Sequence, residues 1–192
     1  MRGVDVNSKD ELERTALMWA AVKGHNQIVQ HLLEQPGIDV NRQGGEYGDT
    51  ALGLAAFHGN LEAVQLLLAD WRVNVNGSSS AGQNPLHVAA ILGHAEVTKL
   101  LLAEQRVEVN CRTHRGQTPL HWAAMEGYAE VVQLFLADQR VEVNTRNCWG
   151  QTPLHYATIN GHTEVIQLLA THPSVDLDTT DEEGWGLEEV AR

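Results

Sequence analysis

Histidine and cysteine are the side chains of this 192-residue chain best able to support metal or acid–base chemistry, and it contains ten histidines and two cysteines. Four of the histidines fall outside any regular pattern: His31, His58, His114 and His172. A zinc pair on a helix needs ligands four residues apart, and no two of these four have that spacing. The sequence therefore predicts no metal site and implies no cofactor.

Cys148 and His114 are the one cysteine–histidine pair that the spacing could bring together, since 34 residues separate them. A catalytic cysteine also needs an oriented base and an oxyanion site within a pocket. Exposed loop tips offer neither. The chain also lacks a glycine-rich phosphate loop, a G-x-S-x-G elbow and a spaced carboxylate pair. We expect a protein that is not an enzyme.

A short pattern returns along the chain at a fixed interval, and this repeat must position those side chains. Steps of 35, 34, 34, 34 and 34 residues separate one column: Thr15, Thr50, Asn84, Thr118, Thr152 and Gly186. A second column keeps the same steps: Val40-Asn41, Val75-Asn76, Val109-Asn110, Val143-Asn144 and Leu177-Asp178. This period is typical of stacked repeats, in which chain length counts units rather than domains.

One unit, from Gly116 to Leu136, predicts two short helices. Thr118 can cap the first helix, Pro119 suits its first turn, and Gly127 can adopt the left-handed conformation that ends it. We expect the second helix to be more deeply buried, because its apolar face is broad: Val131, Val132, Leu134, Phe135 and Leu136. Such short helices are not stable alone in water, so each unit depends on its neighbours.

The repeated unit resembles the ankyrin repeat family, whose pattern begins G-x-T-P-L-H-x-A-A. The best matches are NPLHVAAILGHAEVTKLLL at 84–102, TPLHWAAMEGYAEVVQLFL at 118–136 and TPLHYATINGHTEVIQLLA at 152–170. Segments 15–33 and 50–68 lack the Pro and His but keep Thr, Leu, Ala and Gly. The resemblance implies an all-α fold, an ankyrin-type α-solenoid of stacked helix-turn-helix repeats with projecting β-turn loops.

The resemblance also accounts for six histidines. Three lie in the TPLH column, where the family uses the imidazole to bond the Thr and the turn backbone: His87, His121 and His155. Three more follow the glycine between the helices and are expected to be structural: His25, His94 and His162.

We expect residues 1–192 to form one repeat array. The tail of a preceding unit occupies 1–14, five units occupy 15–48, 49–82, 83–116, 117–150 and 151–184, and a partial unit occupies 185–192. Acidic residues near the end could form the polar cap that such arrays need: Glu182, Glu183, Glu188 and Glu189. Alternatively, the chain is part of a longer array; otherwise we expect a monomer.

The charge balance constrains the class of partner. Twenty-five acidic against 13 basic residues give a formal charge of -12, which opposes binding to nucleic acid and to anionic membranes. The sequence has no signal peptide core and no apolar run that could span a membrane. Two cysteines favour a reducing compartment. We expect a protein partner and a cytoplasmic location, with the nucleus as the open alternative.

Three arginines share one column in the connector after the second helix: Arg72, Arg106 and Arg140. Two positions further on, the column is mostly acidic: Asp39, Asn74, Glu108, Glu142 and Asp176. These two columns predict a ladder of opposite charges that neutralises itself across neighbouring units. The alternative is that the arginines form a binding strip.

In the family, the turn tips and first helices form a concave partner-binding surface. Large and variable side chains of this sequence fall in its columns: Tyr47, Phe57, His114, Arg115, Trp122, Met125, Glu126, Cys148, Trp149, Tyr156 and Trp185. Aromatic rings carry much of the energy of protein interfaces, so these residues are the candidate partner site. Trp122 and Tyr156 could instead pack between helices, whereas Trp149 lies at a turn tip and is the strongest candidate.

The sequence therefore predicts a non-catalytic scaffold that binds a protein through the concave face. One alternative is a structural or targeting segment of a larger signalling protein. A second follows from the resemblance: the array could be the substrate of an asparaginyl hydroxylase, at one turn residue in each unit, Asn41, Asn76, Asn110 and Asn144.

Overall fold

The computed structural model describes residues 5–184 and Gly186. Within this part of the chain the helices are α1 (Ala16–Lys23), α2 (Asn26–Leu33), α3 (Ala51–Phe57), α4 (Leu61–Ala69), α5 (Pro85–Ile91), α6 (Ala95–Ala103), α7 (Pro119–Glu126), α8 (Ala129–Ala137), α9 (Pro153–Ile159) and α10 (Thr163–Thr171). Among the same residues there are isolated β-bridges but no strand. The all-α prediction is confirmed. None of the described helices is long and apolar enough to cross a membrane.

Local chemistry at the first turn explains where the odd-numbered helices begin. The backbone N–H of Thr118 donates to Nδ1 of His121 at 3.1 Å, and Nε2 of the same imidazole lies 3.1 Å from the carbonyl oxygen of Gln151 in the next loop. His87 bridges to the carbonyl of Gln117 at the same distance. Each histidine thus caps its own helix and holds the following unit, as the resemblance implied.

The helices form two layers, one of first helices (α1, α3, α5, α7, α9) and one of second helices (α2, α4, α6, α8, α10), with contacts between neighbours in each layer. The first helices are the more deeply buried, so the opposite expectation was wrong. In α7 five of eight residues are buried, against three of nine in α8, where Leu134 and Leu136 are only half-buried. The first helices have protein on more sides, whereas the second helices keep one side in water.

One asparagine in each unit bonds the next unit through backbone atoms. Asn110 donates from Nδ2 to the carbonyl of Arg140 at 2.7 Å, and its Oδ1 accepts from the N–H of Glu142 at 2.8 Å. The same pair of bonds is made by Asn7, Asn41, Asn76 and Asn144. We call this set the asparagine ladder.

The three arginines of the connector column form ion pairs, but with different carboxylates from those expected. Arg140 pairs with Asp138, two positions before it, at 2.6 Å, and also donates to the carbonyl of Leu102 at the end of α6. The guanidinium holds the pKa of Asp138 below its usual value. Arg72 and Arg106 pair in the same way, with Asp70 and Glu104. The backbone N–H groups at the expected acidic positions are bonded instead by the asparagine ladder.

Thr98 of α6 offers a test of packing between the units. Its side chain is fully buried, and its hydroxyl has no hydrogen-bond partner in the described part of the chain. The matching residues of α4 and α8 are Val64 and Val132. Because Thr98→Val exchanges an unsatisfied hydroxyl for a methyl group of similar shape, we expect the free energy of unfolding to rise by about 1 kcal/mol.

Urea unfolding checks this, with Thr158→Val as the matched control. The Thr158 hydroxyl donates to the carbonyl of Leu154 at 2.8 Å, so its loss should bring no gain. A stability gain in the control that equals the gain in Thr98→Val would contradict the explanation.

Candidate functional site

The turn loops form tight hairpins that are bonded to one another. In one loop the N–H of Thr113 donates to the carbonyl of Gln117 at 2.9 Å, and Gly116 adopts a positive φ of 75°. The N–H of Cys148 donates to the carbonyl of Arg115 at 3.0 Å, and the N–H of Glu182 to that of Trp149 at the same distance. Neighbouring loops therefore hold each other in place. We call the surface formed by the turn loops 44–49, 79–83, 113–117, 147–151 and 181–184, with the adjoining side of the first helices, the turn-tip face.

Arg115 and Trp149 meet on this face. The guanidinium carbon of Arg115 lies 5.8 Å from the centroid of the Trp149 ring, within the range of a cation–π contact. Arg115 is exposed, and Trp149 remains 42% exposed. Two side chains predicted from successive units are thus joined into one exposed feature.

A cleft lies on each side of this pair. The first, of about 410 Å³, is lined by Trp149, Gln151, Tyr156, Asp181, Glu182 and Glu183. The second, of about 290 Å³, is lined by Ala81, Gln83, Thr113, His114, Arg115, Gln117 and Trp122. Five of the sequence-predicted site residues therefore border two adjacent clefts.

Tyr156 also has a structural role. Its hydroxyl accepts hydrogen bonds from Nε2 of Gln117 at 2.9 Å and from Nδ2 of Asn147 at 3.0 Å. Its ring makes a T-shaped contact with the His121 imidazole, with the ring centroids 5.7 Å apart. The tyrosine therefore joins two units as well as lining the first cleft.

The other candidates on the turn-tip face are more scattered. Tyr47 and Phe57 are 59% and 51% exposed but border neither cleft. Met125 is half-buried, while Glu126 and Cys148 are exposed. The carbonyl of Met125 lies 2.8 Å from Nε2 of His162. Trp185 lies outside the described residues, as do Glu188 and Glu189.

Burial shifts the pKa of three titratable groups in the central units. Burial raises the pKa of the Cys111 thiol to about 12, so its reactive thiolate form is scarce. Burial also lowers the pKa of His87 and of His121 to about 4, so both imidazoles are neutral near pH 7. Among the described residues, no group of three or more His, Cys, Asp and Glu side chains could hold a metal ion.

Sequence reasoning missed Trp71, which is 84% exposed and is the most exposed of the described large apolar side chains. It lies beside the carboxyl ends of α2 and α4, where a cleft of about 620 Å³ is lined by Leu33, Leu66, Asp70 and Arg72 among others. The sequence does mark the Trp71 position as unusual, because the other units carry a proline or glutamine in this column: Pro36, Gln105, Gln139 and Pro173.

A family model described as ankyrin repeats (3 copies) matches residues 1–78, 38–113, 73–147 and 127–186. The chain is 47% identical over 64 residues to BTB/POZ domain-containing protein 1 of Schizosaccharomyces pombe, which covers 33% of this chain and 5% of that protein. It is 45% identical over 65 residues to inversin of Danio rerio, covering 33% of this chain and 6% of inversin. These matches therefore span only a small part of the relatives.

Proposed function

Because the chain belongs to the ankyrin repeat family, whose members generally act as protein-interaction modules, we propose that it binds a partner protein through its turn-tip face. The observation that supports this most directly is the exposed Arg115–Trp149 pair between two clefts. Arginine and tryptophan are the residue types most enriched among interface hot spots. Backbone hydrogen bonds between the turn loops fix the main chain at both residues, which lowers the ordering cost of binding.

The chain acts in this proposal as a non-catalytic scaffold, either as a monomer or as part of a longer array. A cytoplasmic location fits the low cysteine content. The hydroxylation alternative ranks lower, because each ladder asparagine uses its amide to hold the next unit. A modifying enzyme that needs this side chain free would first have to separate two units.

Replacing Trp149 tests the proposal. A phage-displayed library of random 16-residue peptides is selected on the immobilised chain, and the dissociation constants of the selected peptides are measured by fluorescence anisotropy. Trp149→Ala should weaken binding by about 30-fold, the effect of losing one hot-spot side chain. Its helical circular dichroism and urea midpoint should stay close to those of the unchanged chain, because the Trp149 side chain is 42% exposed and is not part of the buried core.

Trp71→Gln is the matched control, since it removes an even more exposed indole beside the second helices and installs the residue of two other units. It should leave peptide binding unchanged. Selected peptides that depend on Trp71 and bind the Trp149 variant normally would place the site on the second-helix layer and overturn the proposal.

A further inference from the structure

The charges of this acidic protein are unevenly distributed over the turn-tip face. Segments 109–125 and 143–163 contain no aspartate or glutamate, although the chain has 25 acidic residues. In the loops that precede α7 and α9, those two segments carry three arginines and one histidine: Arg112, His114, Arg115 and Arg146. All four side chains are exposed. We call this group the basic patch.

Among the described residues, none of the arginines of the basic patch forms an ion pair with a carboxylate, a property they share with Arg14. Ion pairs among the described residues engage Lys9, Arg42, Arg72, Arg106 and Arg140. Arg112 and Arg146 instead donate to backbone carbonyls of the following loops, those of Arg146 and Thr180. These bonds fix the two side chains without neutralising them, and Arg115 lies over the Trp149 ring. The patch therefore keeps its positive charge and is held in place.

The two clefts beside the pair have opposite electrostatic character. Asp181, Glu182 and Glu183 line the first cleft, whereas no carboxylate lines the second. The second cleft presents hydrogen-bond donors from His114 and Arg115, together with the side-chain amides of Gln83 and Gln117. A partner carboxylate would meet attraction in the second cleft and repulsion in the first.

We propose that the basic patch and the second cleft recognise an acidic segment of the partner protein, with an aspartate or glutamate side chain seated against Arg115. The inference rests on the function proposed above and names the chemistry of the partner. A guanidinium binds a carboxylate through two parallel hydrogen bonds, and complementary charge sets specificity and association rate. A nucleic acid is disfavoured as the occupant, because the chain as a whole, with its net charge of -12, repels a long polyanion.

The test uses the selected peptides whose binding depends on Trp149. We expect these peptides to contain more Asp and Glu than Lys and Arg. Their affinity should fall by about 30-fold with Arg115→Glu, as is typical when the charge at a hot spot is reversed. It should also fall when each peptide carboxylate is replaced by its amide, and when NaCl rises from 50 to 300 mM.

Lys99→Glu is the charge-matched control. Lys99 is exposed on α6 in the second-helix layer, and its replacement changes the net charge by the same amount as Arg115→Glu. We expect less than about a twofold effect, since the charge lies outside the patch and is screened by salt. Circular dichroism of both variants establishes that they are folded.

The outcomes separate the two proposals. Trp149-dependent peptides without an acidic excess, or equal effects of Arg115→Glu and Lys99→Glu, would overturn the acidic-segment inference while the proposed function stands. Peptides that never depend on Trp149 would overturn both. A 12-residue oligothymidylate that displaces the peptides at equal concentration would show that the patch prefers nucleic acid, and would also refute the inference.

Discussion

Lowering the pH from 7 to 4.5 is expected to remove about 5 kcal/mol from the free energy of unfolding, through His87 and His121 alone. Burial lowers the pKa of each imidazole to about 4, against about 6.5 in an unfolded chain. Between these values the unfolded chain binds protons that the folded chain does not. Stability therefore rises with pH and is lost as the pH falls below about 6.5, by about 2.4 kcal/mol for each histidine.

The pH window distinguishes these histidines from the acidic residues. Asp70, Glu104 and Asp138 have a pKa below its usual value because of their arginine partners. Their contribution is present above their ordinary pKa of about 4 and is lost only below it. The loss between pH 6.5 and 4.5 should therefore come from the imidazoles.

Urea unfolding at pH 7, 6, 5 and 4.5 measures the effect. The control is His121→Met, which removes one of the two imidazoles. Methionine is the residue that the first unit carries at this column, as Met18. The stability of this variant should be lower at pH 7 but should fall about half as much on acidification. A stability that is flat from pH 7 to 4.5 in the unchanged chain would mean that the histidines are not held neutral by burial.

The second large effect is expected from Asn110→Ala, which should lower the free energy of unfolding by about 3 kcal/mol. The change removes two hydrogen bonds and leaves the carbonyl of Arg140 and the N–H of Glu142 without their partner. In a stack of repeats, stability is a sum over units and the contacts between neighbours. Weakening one contact should also broaden the unfolding transition, because the two sides of the break then unfold less cooperatively.

Glu142→Ala is the control for this experiment. Its exposed side chain makes no hydrogen bond or ion pair among the described residues, while its backbone N–H keeps the bond to Asn110. We expect a change below about 0.5 kcal/mol. If Asn110→Ala behaves like Glu142→Ala in both the midpoint and the breadth of the urea transition, the ladder contributes little to coupling.

Much of the fold could be predicted because its determinants are local. Thr118, Pro119 and Gly127 act within one or two turns of helix, and their helix spans Pro119–Glu126. The prediction that the second helices are buried more deeply than the first was wrong. The width of the apolar face of α8 does not indicate whether its other side is covered by protein or by water. The arginine partners were also missed, because a column of residues gives separation along the stack but not which neighbour a long side chain reaches.

The candidate site was likewise only partly predictable from the sequence. The repeat period places Arg115 and Trp149 in adjacent units, and in the structure the guanidinium carbon of Arg115 lies 5.8 Å from the centroid of the Trp149 ring. Their exposure and the two clefts depend on loop geometry that no single sequence position encodes. Trp71 was missed because its column lies in the connector and not on the turn-tip face, although glutamine stands at that position in two units.

The asparagine ladder joins units through a side chain on one side and only peptide groups on the other. Every residue other than proline offers the same peptide groups, so this joint does not require matched side chains in the adjoining unit. Whole units could therefore be duplicated, exchanged or deleted in evolution or in the laboratory without a compensating change at the joint. The surface residues are then free to diversify while the spacing of the array is inherited intact.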